Sequence, residues 1–326
     1  MTERQEPSIP PTYKDRRTGL IVFGILEIAF GGLALLMALL LVVVATAATK
    51  LDTGAANGMD ATMMAPGILL HALIGAWFIT MGVGSMLARR WARALLLVSS
   101  WIWLVSGVSA SIAMITFMPR IYEQMAETGQ LPREAAIAAK YVMAGFVFVF
   151  FLLIPGTLVL FYQSGNVKAT CESRDTHLRW TDKCPLPVLA VSLMLVSWAG
   201  AMPMIGAYHW AIPCFGRILT GPPAFAIVLV IMAVSLSLAW GVYRLNMNAW
   251  WGTVGLILAY TASAGITFSQ VTILEFYEKM GFPEQQMDMM RQMELPQGWV
   301  VTWMLVWLGV FLGYLLYTKR YFTAPK

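Results

Sequence analysis

The chain has 326 residues, of which 59% are hydrophobic and 12% are charged, and its formal net charge at pH 7 is +5. Because roughly a quarter of the residues in a soluble domain are charged, this composition excludes an ordinary water-soluble fold. The 22 Lys and Arg residues form no continuous basic face, so nucleic-acid binding is not predicted either.

Apolar runs long enough to cross a bilayer recur along the whole chain. About 20 apolar helical residues cross a hydrocarbon core of about 30 Å, whereas barrel strands are alternating runs of about 10 residues. The sequence therefore predicts an all-α integral membrane protein with eight transmembrane helices. These are predicted at about residues 18–45, 67–88, 94–117, 141–163, 186–208, 222–243, 249–271 and 298–318.

The distribution of Lys and Arg residues predicts the orientation. When the segments between spans are assigned alternately to the two sides, fifteen basic residues share the side of the N-terminus and seven lie opposite. Because basic residues concentrate in cytoplasmic segments, both termini are predicted to be cytoplasmic, in an inner or plasma membrane, next to anionic lipids. The fifteen are Arg4, Lys14, Arg16, Arg17, Arg89, Arg90, Arg93, Lys168, Arg174, Arg179, Lys183, Arg244, Lys319, Arg320 and Lys326.

The first apolar run has a competing interpretation as a secretory signal peptide. Ala45, Thr46 and Ala47 resemble a small-residue cleavage site, and basic residues precede the run. The run is, however, much longer than the about 7 to 15 apolar residues of a signal peptide. A transmembrane helix is therefore favoured.

A fixed offset of 155 residues indicates an internal repeat. At this offset Arg89 aligns with Arg244, and Tyr162 aligns with Tyr317. Each half then contains four helices, and an even number gives both halves the same direction across the membrane, as in parallel-repeat transporters.

The repeat divides the chain into three predicted parts. Residues 1–165 form an N-terminal four-helix repeat with a short cytoplasmic tail, and residues 186–326 form a C-terminal four-helix repeat. Residues 166–185 form a polar cytoplasmic linker between them. Two tandem, parallel units of this kind are the predicted architecture.

The predicted outer loops share a motif. A Tyr-Glu-x-Met sequence at Tyr122 and again at Tyr277 predicts matching turns after the third and seventh helices. Pro132 and Pro283 follow these turns and are expected at the first position of short surface helices, where the missing N–H group leaves no hydrogen bond unmade.

Glu27 is the one acidic residue inside a predicted span. It lies about nine residues from the cytoplasmic edge, or roughly 14 Å deep. Gly24 and Gly31 share its helical face, which predicts a close contact with a neighbouring helix. Two interpretations stay open: a protonated carboxyl bonded to a nearby hydroxyl or carbonyl group, or a role in transport or proton transfer.

His71 lies in the outer third of the second predicted helix, with Gly67 and Gly75 one turn away on either side. Its depth is roughly 22 Å above the cytoplasmic edge, against roughly 14 Å for Glu27. This difference argues against a direct pair. A satisfied core histidine is favoured, and a place on a ligand or proton pathway is the alternative.

The seventh predicted helix carries a polar stripe. Tyr260, Ser263, Thr267 and Gln270 follow one another at spacings of three and four residues, which places them on one helical face. The positions that align with them in the first half are apolar. Such asymmetry is expected of a pocket shared by two halves, and equally of drift in which interhelical hydrogen bonds accumulate.

Methionines cluster in the last outer loop, where thioether sulfurs are the ligands that Cu(I) prefers. The candidate ligands are Met287, Met290 and Met293, with His209 and Cys214 in a neighbouring outer loop. Methionine is also an adaptable filler of apolar faces, and this second interpretation is favoured.

The cytoplasmic linker contains Cys171, His177 and Cys184, but their spacing matches none of the usual zinc motifs. Nucleotide-binding, nucleophile and metalloprotease motifs are also missing from the sequence. No catalytic residue and no cofactor are therefore predicted, and an enzyme is not favoured.

These observations favour a non-enzymatic membrane protein that acts as a scaffold, an accessory subunit or a binder of a lipid-like ligand. The expected partners are membrane lipids and other membrane subunits or further copies of the chain. The alternative is a proton-coupled transporter of a small solute that uses the cleft between the two repeats. Copper handling at the outer face is a weaker alternative.

Overall fold

The computed structural model describes residues 13–51, 61–127, 129, 131–292 and 297–323. Within these ranges the chain forms twelve α-helices and one two-stranded hairpin. The helices are α1 (Arg17–Leu51), α2 (Ala61–Met86), α3 (Arg90–Glu127), α4 (Arg133–Val147), α5 (Ile154–Tyr162), α6 (Gly165–Arg174), α7 (Leu186–Ala201), α8 (Gly221–Tyr243), α9 (Met247–Gln270), α10 (Ile273–Lys279), α11 (Glu284–Gln292) and α12 (Gln297–Thr323). The antiparallel strands are β1 (Ile212–Cys214) and β2 (Arg217–Leu219).

Eight helical segments of the described chain are long and apolar enough to cross a membrane. Large apolar side chains are exposed along them, as expected for helices surrounded by lipid. The prediction of an all-α, multi-pass membrane protein is confirmed. The segments are Arg17–Ala47, Met63–Met86, Arg90–Glu127, Arg133–Tyr162, Leu186–Tyr208, Gly221–Tyr243, Met247–Gln270 and Val300–Thr323.

The region between the third and fourth spans differs from the sequence prediction. α3 continues through Tyr122 to Glu127, so the turn predicted at Tyr122 is wrong. The residues that follow position 117 include good helix formers, and Lys140 of α4 forms an ion pair with Glu123 of α3. Pro132 is the N-cap residue of α4, one position before the expected first helical position.

The segment between α9 and α12 is also more helical than predicted. Tyr277 lies in α10, where a turn was expected. Pro283 immediately precedes α11, and its carbonyl oxygen accepts hydrogen bonds from the N–H groups of Gln286 and Met287. A short helix therefore follows Pro283 as expected, but Pro283 lies just outside it.

The fourth span is interrupted by a π-helical turn at Phe148–Leu153, between α4 and α5. Pro155 follows this turn and has no N–H group, so it cannot bond the carbonyl oxygen of Phe151 in the α-helical pattern. That carbonyl oxygen instead lies against Gly107 of α3, where a side chain would clash with it. The π-helical turn of the fourth span therefore packs against a position of α3 where only glycine fits.

The chain divides by its internal packing into two compact units. The first contains the described residues of 1–32 and 76–182, and the second contains those of 33–75 and 183–326. The first unit holds a cluster of half-buried aromatic rings. Phe30, Phe78, Trp103 and Phe150 contact one another with ring centroids 4.9 to 5.8 Å apart.

The second unit has an apolar core around Trp250 of α9, which is 1% exposed. The indole N–H group of Trp250 donates to the carbonyl oxygen of Leu315 in α12 at 3.1 Å. Ser192 of α7 donates to the carbonyl oxygen of Ala239 in α8 at 2.8 Å. Hydrogen bonds to main-chain carbonyl groups thus join both pairs of helices.

A tight turn joins α2 to α3. Ala88 has a left-handed conformation with φ of 50°, and its N–H group donates to the carbonyl oxygen of Ser85 at 2.8 Å. The N–H group of Arg89 donates to the carbonyl oxygen of Gly84 at 2.9 Å, which completes a Schellman-type helix end. Gly84 is needed because a Cβ atom there would lie 2.5 Å from the Cβ atom of Ala92.

The turn between α8 and α9 in the second unit has the same local pattern. Leu245 has φ of 59°, and its N–H group donates to the carbonyl oxygen of Val242 at 2.9 Å. The N–H group of Asn246 donates to the carbonyl oxygen of Gly241 at 2.9 Å. A side chain at Gly241 would clash with Ala249.

We expect Gly84→Ala to destabilise the protein, because the new methyl group overlaps Ala92 and such overpacking typically costs about 1 to 3 kcal/mol. Thermal unfolding in detergent measures the effect. Gly145→Ala is the control, since a Cβ atom at Gly145 meets no atom within 4 Å. A loss of stability that is equal in both variants would contradict the argument.

Candidate functional site

Glu27 is buried in the first unit, with 3% of its surface exposed. The hydroxyl group of Tyr162, at the end of α5, lies 2.9 Å from its Oε1 atom. Tyr162 itself is fully buried. Glu27 therefore contacts a phenol group that is distant in sequence, and the other carboxyl oxygen, Oε2, has no hydrogen-bond partner among the described residues.

A hydrogen-bonded chain continues from Tyr162 to the backbone of α1. The Ser85 hydroxyl group, near the end of α2, lies 2.7 Å from the Tyr162 hydroxyl group. It also contacts the carbonyl oxygen of Leu20 at 3.0 Å. The chain thus connects α1, α2 and α5.

Close backbone packing encloses this chain. A Cβ atom at Gly24 would lie 2.7 Å from the carbonyl oxygen of Gly82, and one at Gly82 would lie 2.6 Å from that of Gly24. The two helices therefore cross in direct backbone contact one turn before Glu27, as the small residues of its face predict.

Sequence reasoning identified Glu27 but missed Tyr162 and Ser85 as its partners. The sequence separation between Glu27 and Tyr162 is 135 residues, so no local pattern links them. The available signal was weak. Ser85 and Tyr162 are polar residues near the ends of two apolar spans, and both spans are predicted to end on the side of the membrane where α1 begins.

His71 is half-buried, and its Nδ1 atom lies 2.7 Å from the carbonyl oxygen of Gly67, one turn earlier in α2. Because a carbonyl oxygen only accepts, this contact places the imidazole proton on Nδ1. The bond agrees with the favoured interpretation of a satisfied histidine. A ligand or proton-pathway role for His71 stays a prediction.

The polar stripe of α9 forms hydrogen bonds with the β-hairpin. Ser263 accepts a hydrogen bond from the N–H group of Phe215 at 3.0 Å and donates to the carbonyl oxygen of Pro213 at 3.2 Å. Thr267 accepts from the N–H group of Gly216 at 3.0 Å. Both hydroxyl groups therefore bind the main chain of the hairpin.

The two ends of the stripe make other contacts. The Gln270 side-chain amide lies against Gly216, where a Cβ atom would be 2.5 Å from its Oε1 atom. The ring of Tyr260 packs edge-on against Trp198 of α7 with a centroid distance of 5.1 Å. Of the four residues predicted from spacing, three surround the hairpin turn and the fourth belongs to an aromatic contact.

The sequence predicted only an outer loop around Cys214, so the hairpin was missed. Phe215 and Gly216 have φ of 41° and 91°, and positive values at both central positions are typical of a two-residue hairpin turn. Cys214 and Arg217 are paired on either side of it. The signal was the short Ile-Pro-Cys and Arg-Ile-Leu pair around a glycine-containing dipeptide.

The candidate copper ligands have separate roles in the structure. His209 is exposed, has a left-handed backbone, and its ring packs against Gly281. Met287 is 2% exposed, while Met290 and Cys214 are half-buried. Met293 lies outside the described residues. The burial of Met287 agrees with its interpretation as an apolar filler, and copper handling stays a prediction.

Asp175 is the centre of an ion-pair network in the segment predicted as a linker. Its side chain is 1% exposed, and Arg179 donates to Oδ1 at 2.7 Å. Arg89 lies 3.8 Å from Oδ1, and the N–H group of Arg90 donates to Oδ2 at 3.3 Å. The hydrogen bond from Arg179 lowers the pKa of Asp175 below its ordinary value, and the positive charges of Arg179 and Arg89 lower it further.

Further contacts attach the same segment to the residues before α1 and to the start of α3. Arg174 donates to Asp15 at 2.8 Å, and the N–H group of Arg16 donates to the Thr170 hydroxyl group at 3.0 Å. The Arg90 guanidinium lies 3.1 Å from Asp182. Residues 165–182 therefore pack within the first unit, and the prediction of a simple polar linker missed α6 and these contacts.

The linker cysteines are buried thiols. Burial raises the pKa of Cys171 and of Cys184 to about 11, so both stay protonated at neutral pH. Within the described part of the chain, no three His, Cys, Asp or Glu residues are arranged to hold a metal ion.

Comparison with known proteins gave no relative: no family model matches the chain, and neither the curated proteins nor the solved structures contain a match.

We expect Thr267→Val to loosen the hairpin, because the partly buried N–H group of Gly216 loses its acceptor and such a loss costs about 1 to 3 kcal/mol. Hydrogen–deuterium exchange at Phe215 and Gly216 should become faster. Ser269→Ala is the control, since the exposed Ser269 hydroxyl group bonds only within α9 in the described structure. Unchanged exchange in Thr267→Val would show that the hairpin does not need this contact.

We expect Asp175→Asn to lower the thermal stability by about 1.5 to 3 kcal/mol, the usual contribution of hydrogen bonds to a charged group. Folding lowers the pKa of Asp175, so its contribution is present above the unfolded pKa near 3.9 and is lost as the pH falls through the folded pKa. The difference between wild type and variant should therefore shrink in acid.

The control for this prediction is Asp15→Asn, because the Asp15 side chain is 53% exposed and its pair with Arg174 is solvated. A loss below about 1 kcal/mol is expected there. Equal losses in the two variants, or a difference that persists in acid, would contradict the role of Asp175.

Proposed function

We propose that this chain is a non-enzymatic membrane protein that acts by binding, as a scaffold, an accessory subunit or a binder of a lipid-like ligand. The supporting observation is that the polar side chains singled out within the spans bind the protein's own groups. Ser263 and Thr267 bind the hairpin main chain, His71 contacts Gly67, and Glu27 contacts Tyr162. Their polar groups therefore form hydrogen bonds within the folded chain.

The last span supports a role in assembly or lipid contact. In the described residues, 6% of the most apolar window of Val300–Thr323 is buried, against 44% of that of Leu186–Tyr208. A span with so little buried surface presents most of its side chains to lipid or to another membrane subunit, including a second copy of this chain.

The proposed location is the inner or plasma membrane, with both termini in the cytoplasm. The fifteen-to-seven distribution of Lys and Arg residues supports this orientation. The ion pairs of Asp175 and Asp15 support it further, because they bring the α2–α3 turn, the segment after α5 and the start of α1 together at one end of the first unit.

We further propose that the architecture is a tandem, parallel repeat of four spans. Its support is the shared geometry of two turns, in which Gly84 corresponds to Gly241 and Ala88 to Leu245. Both pairs are 157 residues apart, two more than the offset read from the sequence. Tyr162 is fully buried, whereas Tyr317, aligned with it by the shorter offset, is 48% exposed.

The leading proposal is tested by complementation of a deletion strain of the source organism. We expect Glu27→Gln and His71→Ala to support the cellular role as well as wild type does, since the amide preserves the hydrogen bond and His71 is bonded within its helix. Glu275→Gln, at an exposed carboxylate, is the matched control. Loss of the role in Glu27→Gln alone would contradict a purely binding function.

A second candidate function is a proton-coupled transporter of a small solute. The observation that favours it is the buried Oε2 atom of Glu27, which has no hydrogen-bond partner among the described residues. In that case wild-type proteoliposomes under an imposed proton gradient would take up a solute together with protons, and Glu27→Gln would abolish the uptake. Solutes that show no gradient-dependent flux would remove this candidate.

A further inference from the structure

Four buried oxygen atoms of the first unit form a continuous chain with three contacts. The distances are 3.0 Å from the carbonyl oxygen of Leu20 to Ser85 Oγ, 2.7 Å from there to the hydroxyl oxygen of Tyr162, and 2.9 Å from Tyr162 to Oε1 of Glu27. All three distances lie within the range of hydrogen bonds. Each contact therefore requires one proton between its two oxygen atoms.

The number of protons in this chain depends on Glu27. The carbonyl oxygen of Leu20 has none, and the hydroxyl groups of Ser85 and Tyr162 have one each. If Glu27 were a carboxylate, two protons would serve three contacts, and one pair of oxygen lone pairs would face each other in a buried site. A carboxylic acid supplies the missing proton.

We propose that Glu27 is a proton-binding site, which holds its proton inside the membrane and donates it in a hydrogen bond to Tyr162. Tyr162 then donates to Ser85, and Ser85 donates to the carbonyl oxygen of Leu20. Every contact is satisfied in this one direction. Oε2 of Glu27 becomes the carbonyl oxygen of a neutral acid, which costs less to leave unbonded in a buried site than a carboxylate oxygen.

The surroundings of Glu27 agree with a neutral acid. The titratable side chain that contacts it in the described structure is that of Tyr162, and the next one is Cys171 of α6, which interacts electrostatically with Tyr162. From α2 the uncharged Ser85 contacts Tyr162, and the Gly24–Gly82 crossing lies one turn from Glu27. No cation of the described residues interacts with Glu27 to stabilise a carboxylate.

Burial makes this proton slow to exchange. Leu20 and Tyr162 are fully buried, Ser85 is 1% exposed and Glu27 is 3% exposed. The bound proton is therefore separated from water as long as α1, α2 and α5 stay packed. This inference concerns the state of Glu27 alone and does not depend on whether the protein binds a partner or transports a solute.

Infrared difference spectroscopy tests the proposal on the purified protein in nanodiscs at neutral pH. The spectrum of wild type minus Glu27→Gln should contain the C=O stretching band of a protonated carboxyl group. The control is wild type minus Glu172→Gln, because Glu172 is a partly exposed carboxylate that lies 3.5 Å from Arg90. That difference should contain only carboxylate bands.

Two further variants keep the test decisive if Glu27→Gln folds poorly. Tyr162→Phe removes the acceptor of the Glu27 proton, and Ser85→Ala removes the next acceptor, so the acid band of wild type should shift in both. In heavy water the wild-type band should shift more slowly than the amide bands of exposed segments. Loss of carboxylate bands in Glu27→Gln, or an acid band that neither variant moves, would overturn the proposal.

Discussion

The contact between Glu27 and Tyr162 is the interaction on which the packing of the first unit depends. Lipid offers no partner for a carboxyl group, so a helix that carries one in its span must find the partner inside the protein. Tyr162 supplies it from α5, and Ser85 extends the chain to α2 and back to α1. The polar group that makes α1 unfavourable in lipid alone therefore determines which helices it must contact.

The same constraint explains the polar stripe of α9. The β-hairpin of the second unit has N–H and C=O groups at its turn that need hydrogen-bond partners. Ser263 and Thr267 provide these partners from a regular helix. A stripe of hydroxyl groups on a transmembrane helix thus serves a neighbouring piece of irregular backbone, and this role differs from that of a ligand pathway.

How much could be predicted from the sequence depended on the range of the interactions. The eight spans follow from hydrophobicity, which is a local property, and the burial of Glu27 follows from its place in a span and from Gly24. The contact of Glu27 with Tyr162 and the contacts of Asp175 with Arg89 and Arg90 could not be predicted, because the fold brings these residues close over long sequence separations. Helix α6 was missed since its polar composition is equally typical of a linker.

The two units have different side chains packed behind the α2–α3 and α8–α9 turns. This difference bears on the asymmetry of polar residues seen in the sequence. In the first unit the buried groups behind the α2–α3 turn are the hydroxyl groups of Ser85 and Tyr162, bonded to Glu27. In the second unit the indole of Trp250 fills the region behind the α8–α9 turn and bonds Leu315. The hydrogen bonds of each region end on groups of its own unit. Different polar residues behind the two turns therefore need no shared ligand to explain them.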